Sequence, residues 1–262
     1  MGNVYISSDW HGCGKLARKV FDFLQSNDKL YFLGDAIDRG PHGMYILDKL
    51  LNDPRVVFIK GNHEDMMEKL CDGCKNEDDY YWNWDHNGIW EANGGTSTFC
   101  NFINNTQEKR EWYINKIKNL PKEACYINHR GQIIIMNHAG YLKNKFNSNW
   151  DSKREGDPYF WDRTHFNDAW DKSEEKEDVF LVHGHTPVQY LKFHYGYNGK
   201  PATTAEDFNA KREFFYSKEC THKPTIIRYC DGHKFDIDMC TVYSKRIALL
   251  NLDTFEEIYI DE

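Results

Sequence analysis

Five short apolar runs set the rhythm of the chain: Val4-Tyr5-Ile6-Ser7, Leu30-Tyr31-Phe32-Leu33, Val56-Val57-Phe58-Ile59, Ile133-Ile134-Ile135-Met136 and Val179-Phe180-Leu181-Val182. Each has the length and the β-branched or aromatic content of a buried strand. Between the first three the period lengthens to that of a helix. Leu16, Val20, Phe23 and Leu24 give residues 15–25 one apolar face. Tyr45, Ile46, Leu47, Leu50 and Leu51 do the same after Pro41, a residue suited to a helix start, and residues 65–70 read as helical too. Strand alternating with helix predicts an α/β sheet. Residues 225–227, 234–238 and 247–252 predict strands of a second sheet, with a surface loop at 141–158 and a loop or short helix at 196–221.

From Cys71 to about Lys122 the pattern turns aromatic and polar, with Tyr80, Tyr81, Trp82, Trp84 and Trp90 followed by Asn93-Gly94-Gly95-Thr96. This predicts an inserted, mostly helical subdomain at about 71–122, either bordering a site or packing its rings beneath a long insertion. With no internal repeat, low-complexity tract or linker, residues 1–262 read as one domain carrying that insertion.

The polar residues after the apolar runs are not ordinary turn chemistry. The runs deliver, in order, Asp9 and His11, the segment GDAIDRG at 34–40, Lys60-Gly61-Asn62-His63-Glu64, Asn137-His138-Ala139-Gly140 and His183-Gly184-His185-Thr186-Pro187. Carboxylate, amide, imidazole and guanidinium groups at buried strand ends are costly unless a cation compensates them. Ligands of open α/β sheets bind beyond the carboxyl ends of the strands. A lone strand-end Asp is usually a helix cap; five strand ends all carrying ligand types argue for a site.

Composition narrows the classes. The 262 residues, 40% apolar and 15% aromatic, suffice for one full core. No run of about 18 apolar residues predicts a membrane span. The first residues enter a strand without a basic or apolar leader, so the expectation is a cytoplasmic chain with no membrane partner. The net charge of −8 disfavours a general nucleic-acid binder, though a compact phosphate-bearing substrate remains compatible because metals and arginines dominate the local field. The eight cysteines have no framework spacing and read as reduced thiols. Cys71-Asp72-Gly73-Cys74 is a single CxxC without two further ligands for structural zinc, and Gly12-Cys13-Gly14-Lys15 lacks the spacing of a phosphate loop.

The mixed oxygen and imidazole set of Asp9, His11, Asp35, Asn62, His138 and either His183 or His185 suits two ions of the Mn, Fe or Zn kind, and does not suit calcium. Paired ions about 4 Å apart need a shared ligand, for which Asp35 is the best placed. Such a site also needs a proton donor for the leaving oxygen, met by His63 oriented by Asp38. Arg39 and Arg163 supply planar donors for a phosphate. The remaining histidines are not assigned.

These segments resemble the calcineurin-like metallophosphoesterase superfamily, and within it the serine/threonine protein phosphatases of bacteria and bacteriophages. The pattern GDxHG is matched by Ser8-Asp9-Trp10-His11-Gly12, GDxVDRG by residues 34–40, GNHE by Gly61-Asn62-His63-Glu64, a further His block by His138-Ala139-Gly140, and GHT by Gly184-His185-Thr186. The resemblance implies two packed mixed β-sheets flanked by helices, an αββα sandwich. It implies two divalent ions, manganese foremost: one on Asp9, His11 and Asp35, the other on Asp35, Asn62, His138 and His185. His63 with Asp38 would protonate the leaving group, while Arg39, Asn62 and Arg163 contact the phosphate. His183 matches no ligand position.

The implied reaction is attack on a phosphomonoester by a hydroxide bridging the two ions. Phosphoserine, phosphothreonine or phosphotyrosine in proteins is the expected substrate, with small phosphate esters also accepted. Symmetrical dinucleoside tetraphosphate hydrolases share the same core motifs, and the aromatic insertion suits base stacking as well as packing. Ser8 departs from the first motif's glycine, and Lys60 stands where many members carry arginine. Pro187 replaces a further metal-binding His found in nuclease-like branches. The C-terminal motif of eukaryotic phosphatases is missing, so no regulatory subunit of that type is implied. A non-catalytic scaffold would have lost a ligand or the His63–Asp38 pair, and both are kept.

Overall fold

The computed structural model describes residues 2–86, 88–142, 156–163, 178–191 and 217–262. Among them ten strands form two five-stranded mixed sheets. In the first, β1 (Val4–Ser7), β2 (Lys29–Phe32) and β3 (Val56–Phe58) run parallel, and β9 (Arg246–Asn251) and β10 (Glu257–Asp261) extend the β1 side antiparallel. In the second, β5 (Ile133–Asn137), β6 (Val179–His183) and β8 (Lys234–Asp236) form a parallel centre flanked by antiparallel β4 (Glu123–Ile127) and β7 (Ile227–Tyr229).

This corrects one expectation from the sequence. The run at 247–252 joins the first sheet as β9 rather than the second; the ligand-bearing runs divide between the sheets, β5 and β6 belonging to the second. The reason is visible in β9, whose Ile247 and Leu249 enter one apolar cluster while Ala248 and Leu250 enter the other. A strand buried on both faces announces its burial in sequence but not its neighbour. The strands β4 and β10, half-exposed and short, were not legible at all.

Two large apolar clusters result, with a small third of Tyr190, Cys220 and Cys240. Ile6, Leu33, Ile59, Ile134, Met136, Val182 and Leu250 fill the space between the sheets. On the far face of the first sheet, Leu30 and Phe32 pack with α1 (Gly14–Phe23) and α2 (Gly43–Asn52) through Leu16, Val20, Leu47 and Leu50. The same cluster continues into α3 (Asn62–Cys71) and into the insertion, which comprises α4 (Glu77–His86), α5 (Gly88–Ala92), α6 (Thr96–Ile103) and α7 (Gln107–Lys118). Tyr80, Trp90, Phe102 and Ile117 are among the fully buried residues this segment contributes. Short helices α8 (Pro158–Trp161), α9 (Val188–Tyr190) and α10 (Thr241–Ser244) and a 3-10 helix at Lys218–Thr221 complete the described elements. Most of the predicted loop at 141–158 and of the segment at 196–221 lies outside the described residues. No described helix is long and apolar enough to cross a membrane.

The helix α3 begins three residues before the expected start at Asp65, so Asn62, His63 and Glu64 form its first turn. Glu64 explains this. One of its carboxylate oxygens accepts from the helix-capping Gly61 N–H (3.0 Å) and from Asp35 N–H (2.8 Å), and the other from Ala36 N–H (2.9 Å). The first contact is the return arm of a capping box, and the other two fasten the loop after β2 to the helix. Glu64 is fully buried. Glu64→Ala would leave three buried N–H groups unpaired at about 1–3 kcal/mol each. It is expected to cost at least about 3 kcal/mol, read as a lower midpoint in urea denaturation; an unchanged midpoint would show that the carboxylate does not hold this junction.

Candidate metal centre

The loops beyond β1 and β2 continue the parallel pairing of their strands: Asp9 N–H donates to Gly34 O (3.1 Å), His11 N–H to Asp35 O (3.0 Å) and Gly12 N–H to Ala36 O (2.9 Å). Two hydrogen bonds join the second sheet's strand ends to them, His138 Nδ1–H to Leu33 O (2.6 Å) and His185 N–H to Asp9 Oδ2 (3.1 Å). Close approach requires glycine here. A Cβ on Gly61 would lie 2.3 Å from Asp35 Oδ1, and one on Gly184 2.1 Å from Asp9 Oδ2. Asp9, His11, Asp35, Asp38, Arg39 and His185 all have positive φ, between 41° and 72°. Non-glycine residues avoid this region at about 1–3 kcal/mol each, and such strain gathers at functional sites.

All ten residues singled out in the sequence meet at this seam. Asp35 stands at its centre with one oxygen toward each side. Its Oδ1 lies 3.5 Å from His138 Nε2, and its Oδ2 lies 3.6 Å from His11 Nε2 and 3.7 Å from His63 Nε2. Asn62 Oδ1 approaches His138 Nε2 (2.8 Å) and His185 Nδ1 (3.0 Å). Among the described residues, two groups have the spacing of metal ligands: His11, Asp35 and His63, and Asp35, His138 and His185. Asp35 belongs to both. In the first group the sequence placed Asp9 rather than His63. Asp9 Oδ1 is 3.9 Å from His11 Nε2, buried, and without a hydrogen-bond partner, which leaves it available to that group.

The donor set fits divalent ions. Because Nδ1 of His138 donates to a carbonyl, the neutral ring presents a lone pair at Nε2; that lone pair faces the Asn62 carbonyl oxygen as the amide is oriented. Two acceptors in contact are reconciled by a cation. His11 is arranged likewise, with Nδ1 donating to Ile37 O (3.1 Å) and Nε2 turned inward. The electrostatics agree. Burial, and then the neighbouring carboxylates Asp238 and Glu64 respectively, push Asp9 and Asp35 well above the usual carboxylate range. Burial pushes Asp238 up to about 6 and His138 down to about 3. The chain therefore gathers buried acids that its own cations do not neutralise, and bound divalent ions would reverse that imbalance.

At the edge of the first group, His63 Nδ1–H donates to Asp38 Oδ2 (2.6 Å), both side chains being fully buried. Burial pushes Asp38 up to about 7 and His63 well down, and the latter carries a lone pair at Nε2 toward Arg39 Nη2 (3.1 Å). Arg39 Nη1 donates to His11 Nε2 (2.6 Å). Arg163 lies by the other group, its Nη2 donating to His185 O (3.3 Å). His183 is in neither group; its ring meets Tyr229 Oη (2.6 Å) and Gly184 O (3.0 Å). Lys60 pairs with Glu68 (2.5 Å), so its departure from arginine bears on that largely buried ion pair.

Sequence reasoning left five contributors without a role. Asp236 and Asp238 are buried beside Asp9, and their alternation after Phe235 repeats the apolar-run-then-acid pattern of the other strand ends. Glu64 was seen as part of GNHE without a task. From the insertion, Trp90 Nε1–H donates to Asp38 Oδ2 (2.6 Å) and Thr98 Oγ1 accepts Asp38 N–H (2.9 Å), contacts that periodicity does not announce.

Several known proteins are similar. A symmetrical bis(5'-nucleosyl)-tetraphosphatase of Nitrosospira multiformis is 33% identical over 76 residues, 27% of each chain. Serine/threonine-protein phosphatase 2 of Escherichia coli is 33% identical over 97 residues, 36% of this chain and 38% of that protein. The matched stretch thus spans between a quarter and two fifths of these relatives. Among solved structures, a serine/threonine phosphatase from Saccharomyces cerevisiae superposes with a TM-score of 0.54 at 10% identity, over 100% of this chain and 80% of that one. A metallophosphoesterase from Sphaerobacter thermophilus superposes at 0.53 and 11% identity, over 98% and 87%. These likenesses establish the fold. The calcineurin-like phosphoesterase family matches residues 2–215, and this chain belongs to it.

Proposed function

We propose that the chain is a two-metal phosphatase that hydrolyses phosphomonoesters, with phosphoserine and phosphothreonine of proteins as its substrates and phosphotyrosine as a further one. The observation that carries the reading is Asp35, whose two oxygens each face a separate group of imidazoles, beside a buried His63–Asp38 pair. Asp9, His11 and Asp35 would hold one ion, and Asp35, Asn62, His138 and His185 the other; nitrogen with oxygen donors favours manganese, iron or zinc. Such ions supply Lewis acidity toward the phosphoryl oxygens and the attacking water.

The chain's own residues do the rest. Arg39 and Arg163 hold the phosphate from two sides, Arg39 exchanging its contacts with His11 and His63 for phosphate oxygens, and Asn62 adds an amide contact. Once the substrate's negative charge takes the place of Arg39 at Nε2, His63 takes up a proton there from solvent and delivers it to the leaving oxygen, while Asp38 keeps Nδ1 protonated and stabilises the imidazolium. The segment's inner rings, Trp90 and Phe99, are committed to the core, while Tyr81 and Trp82 are exposed. Eight free thiols support a reducing, cytoplasmic setting.

Turnover with added manganese of a phosphoserine peptide, a phosphotyrosine peptide and diadenosine tetraphosphate tests the substrate. The phosphoserine peptide is expected to lead the dinucleotide in kcat/KM by at least about tenfold, or ~1.4 kcal/mol; the reverse order would make the chain a dinucleoside tetraphosphate hydrolase with the same centre. His63→Asn is expected to cut turnover of an alkyl phosphate by about 100-fold or more while sparing nitrophenyl phosphate, the range of general-acid catalysis. An equal loss on both would remove His63 as the acid. Asp35→Asn is expected to abolish binding of both manganese ions in calorimetry, and retention of two ions would sink the shared-ligand assignment.

A further inference from the structure

The insertion meets the centre through one strained turn. Asp38 and Arg39 have consecutive positive φ values, 72° and 62°, which two non-glycine residues hold only when their surroundings impose it. The segment 90–98 imposes it with four hydrogen bonds. Trp90 Nε1–H donates to Asp38 Oδ2 (2.6 Å), Asp38 N–H to Thr98 Oγ1 (2.9 Å), Arg39 N–H to Gly94 O (2.9 Å), and Ser97 Oγ–H to Gly40 O (2.9 Å). Gly94 allows the approach, since a Cβ there would lie 3.0 Å from Arg39 Cγ.

Trp90 itself has no freedom. It is fully buried, its ring meets Trp84 at 5.4 Å and Phe99 at 6.1 Å edge-on, and a Cβ on Gly95 would lie 2.6 Å from its indole. Its N–H and that of His63 converge on the same oxygen of Asp38, each at 2.6 Å, while the other oxygen is buried without a partner. A carboxylate gripped at one oxygen by two donors cannot rotate without stranding both. We infer that Trp90 is a positioning residue, which locks the Asp38 carboxylate so that it fixes the tautomer and aim of His63, and that segment 90–98 is the template for the turn presenting Asp38 and Arg39. The inference rests on the reading of His63 as general acid. It makes the insertion a working part of the centre rather than aromatic filling.

Trp90→Phe keeps an aromatic ring in the core and removes the donor, together with part of the ring volume. In the manganese-loaded enzyme it is expected to lower kcat on an alkyl phosphate by about tenfold or more, part of the general-acid contribution. Turnover of nitrophenyl phosphate and KM for both should stay within about twofold. Added to His63→Asn it should cost nothing further, because the two act as a unit. Phe99→Leu loosens the same ring cluster without touching Asp38 and should show no such split. If Trp90→Phe does not fold, Thr98→Val tests the same template with the same expected split. A readout independent of turnover is the Trp90 indole proton resonance of the metal-free chain, expected far downfield and shifted upfield in Asp38→Ala. Equal losses on both substrates, an additive loss over His63→Asn, or an indole resonance indifferent to Asp38→Ala would overturn the inference and leave His63 untouched. If His63→Asn itself shows no leaving-group split, the general-acid reading fails first.

Discussion

The burial of Asp35 is the constraint on which the rest of the molecule turns. A carboxylate removed from water at the meeting of two sheets is costly, and the chain surrounds it with groups that make sense only around it. His63 N–H, at the start of α3, donates to Oδ1 at 3.0 Å, so the helix's positive end points at the acid. Glu64, one residue on, holds the backbone of Asp35 and Ala36 in place. The imidazoles of His11 and His138 reach it from β1 and β5, that is, from different sheets. Remove the acid and the glycines, the left-handed backbone and the inward lone pairs all lose their reason.

Much of this was written in the chain. Apolar runs followed by Asp, Asn or His disclosed both the strands and the side chains at their ends, because a strand end is fixed locally by a few residues of sequence. Which sheet a strand joins is not local. Ile133 to Met136 and Ile247 to Leu252 are equally apolar, yet one pairs with β6 and the other with β1. The start of α3 was misplaced for a related reason: Asn62 and His63 look like loop residues, and only the return contact of Glu64 makes them helical. Asp236 and Asp238 went unnoticed as site neighbours although their spacing follows the same pattern as Asp9.

The insertion shows the limit most plainly. Its tryptophans read as packing, and for Trp84 packing is what the structure shows, stacked at 4.3 Å on Phe99. Trp90 packs as well, but its one polar atom is spent on Asp38. Nothing in a pattern of hydrophobic and polar positions separates a buried indole whose nitrogen is incidental from one whose nitrogen holds a carboxylate. Only the partner's position, fifty-two residues earlier in the chain, decides it.

The seam between the sheets has a mechanical consequence. His185 N–H on Asp9 and His138 on Leu33 O are direct ties between the two layers, and the groups around Asp35 draw side chains from both. An ion seated there would act as a rivet, ligated from each layer at once. Occupancy and the docking of the layers then become one equilibrium, so tight binding resists their separation by the same free energy, about 4 kcal/mol at a thousandfold excess over the dissociation constant.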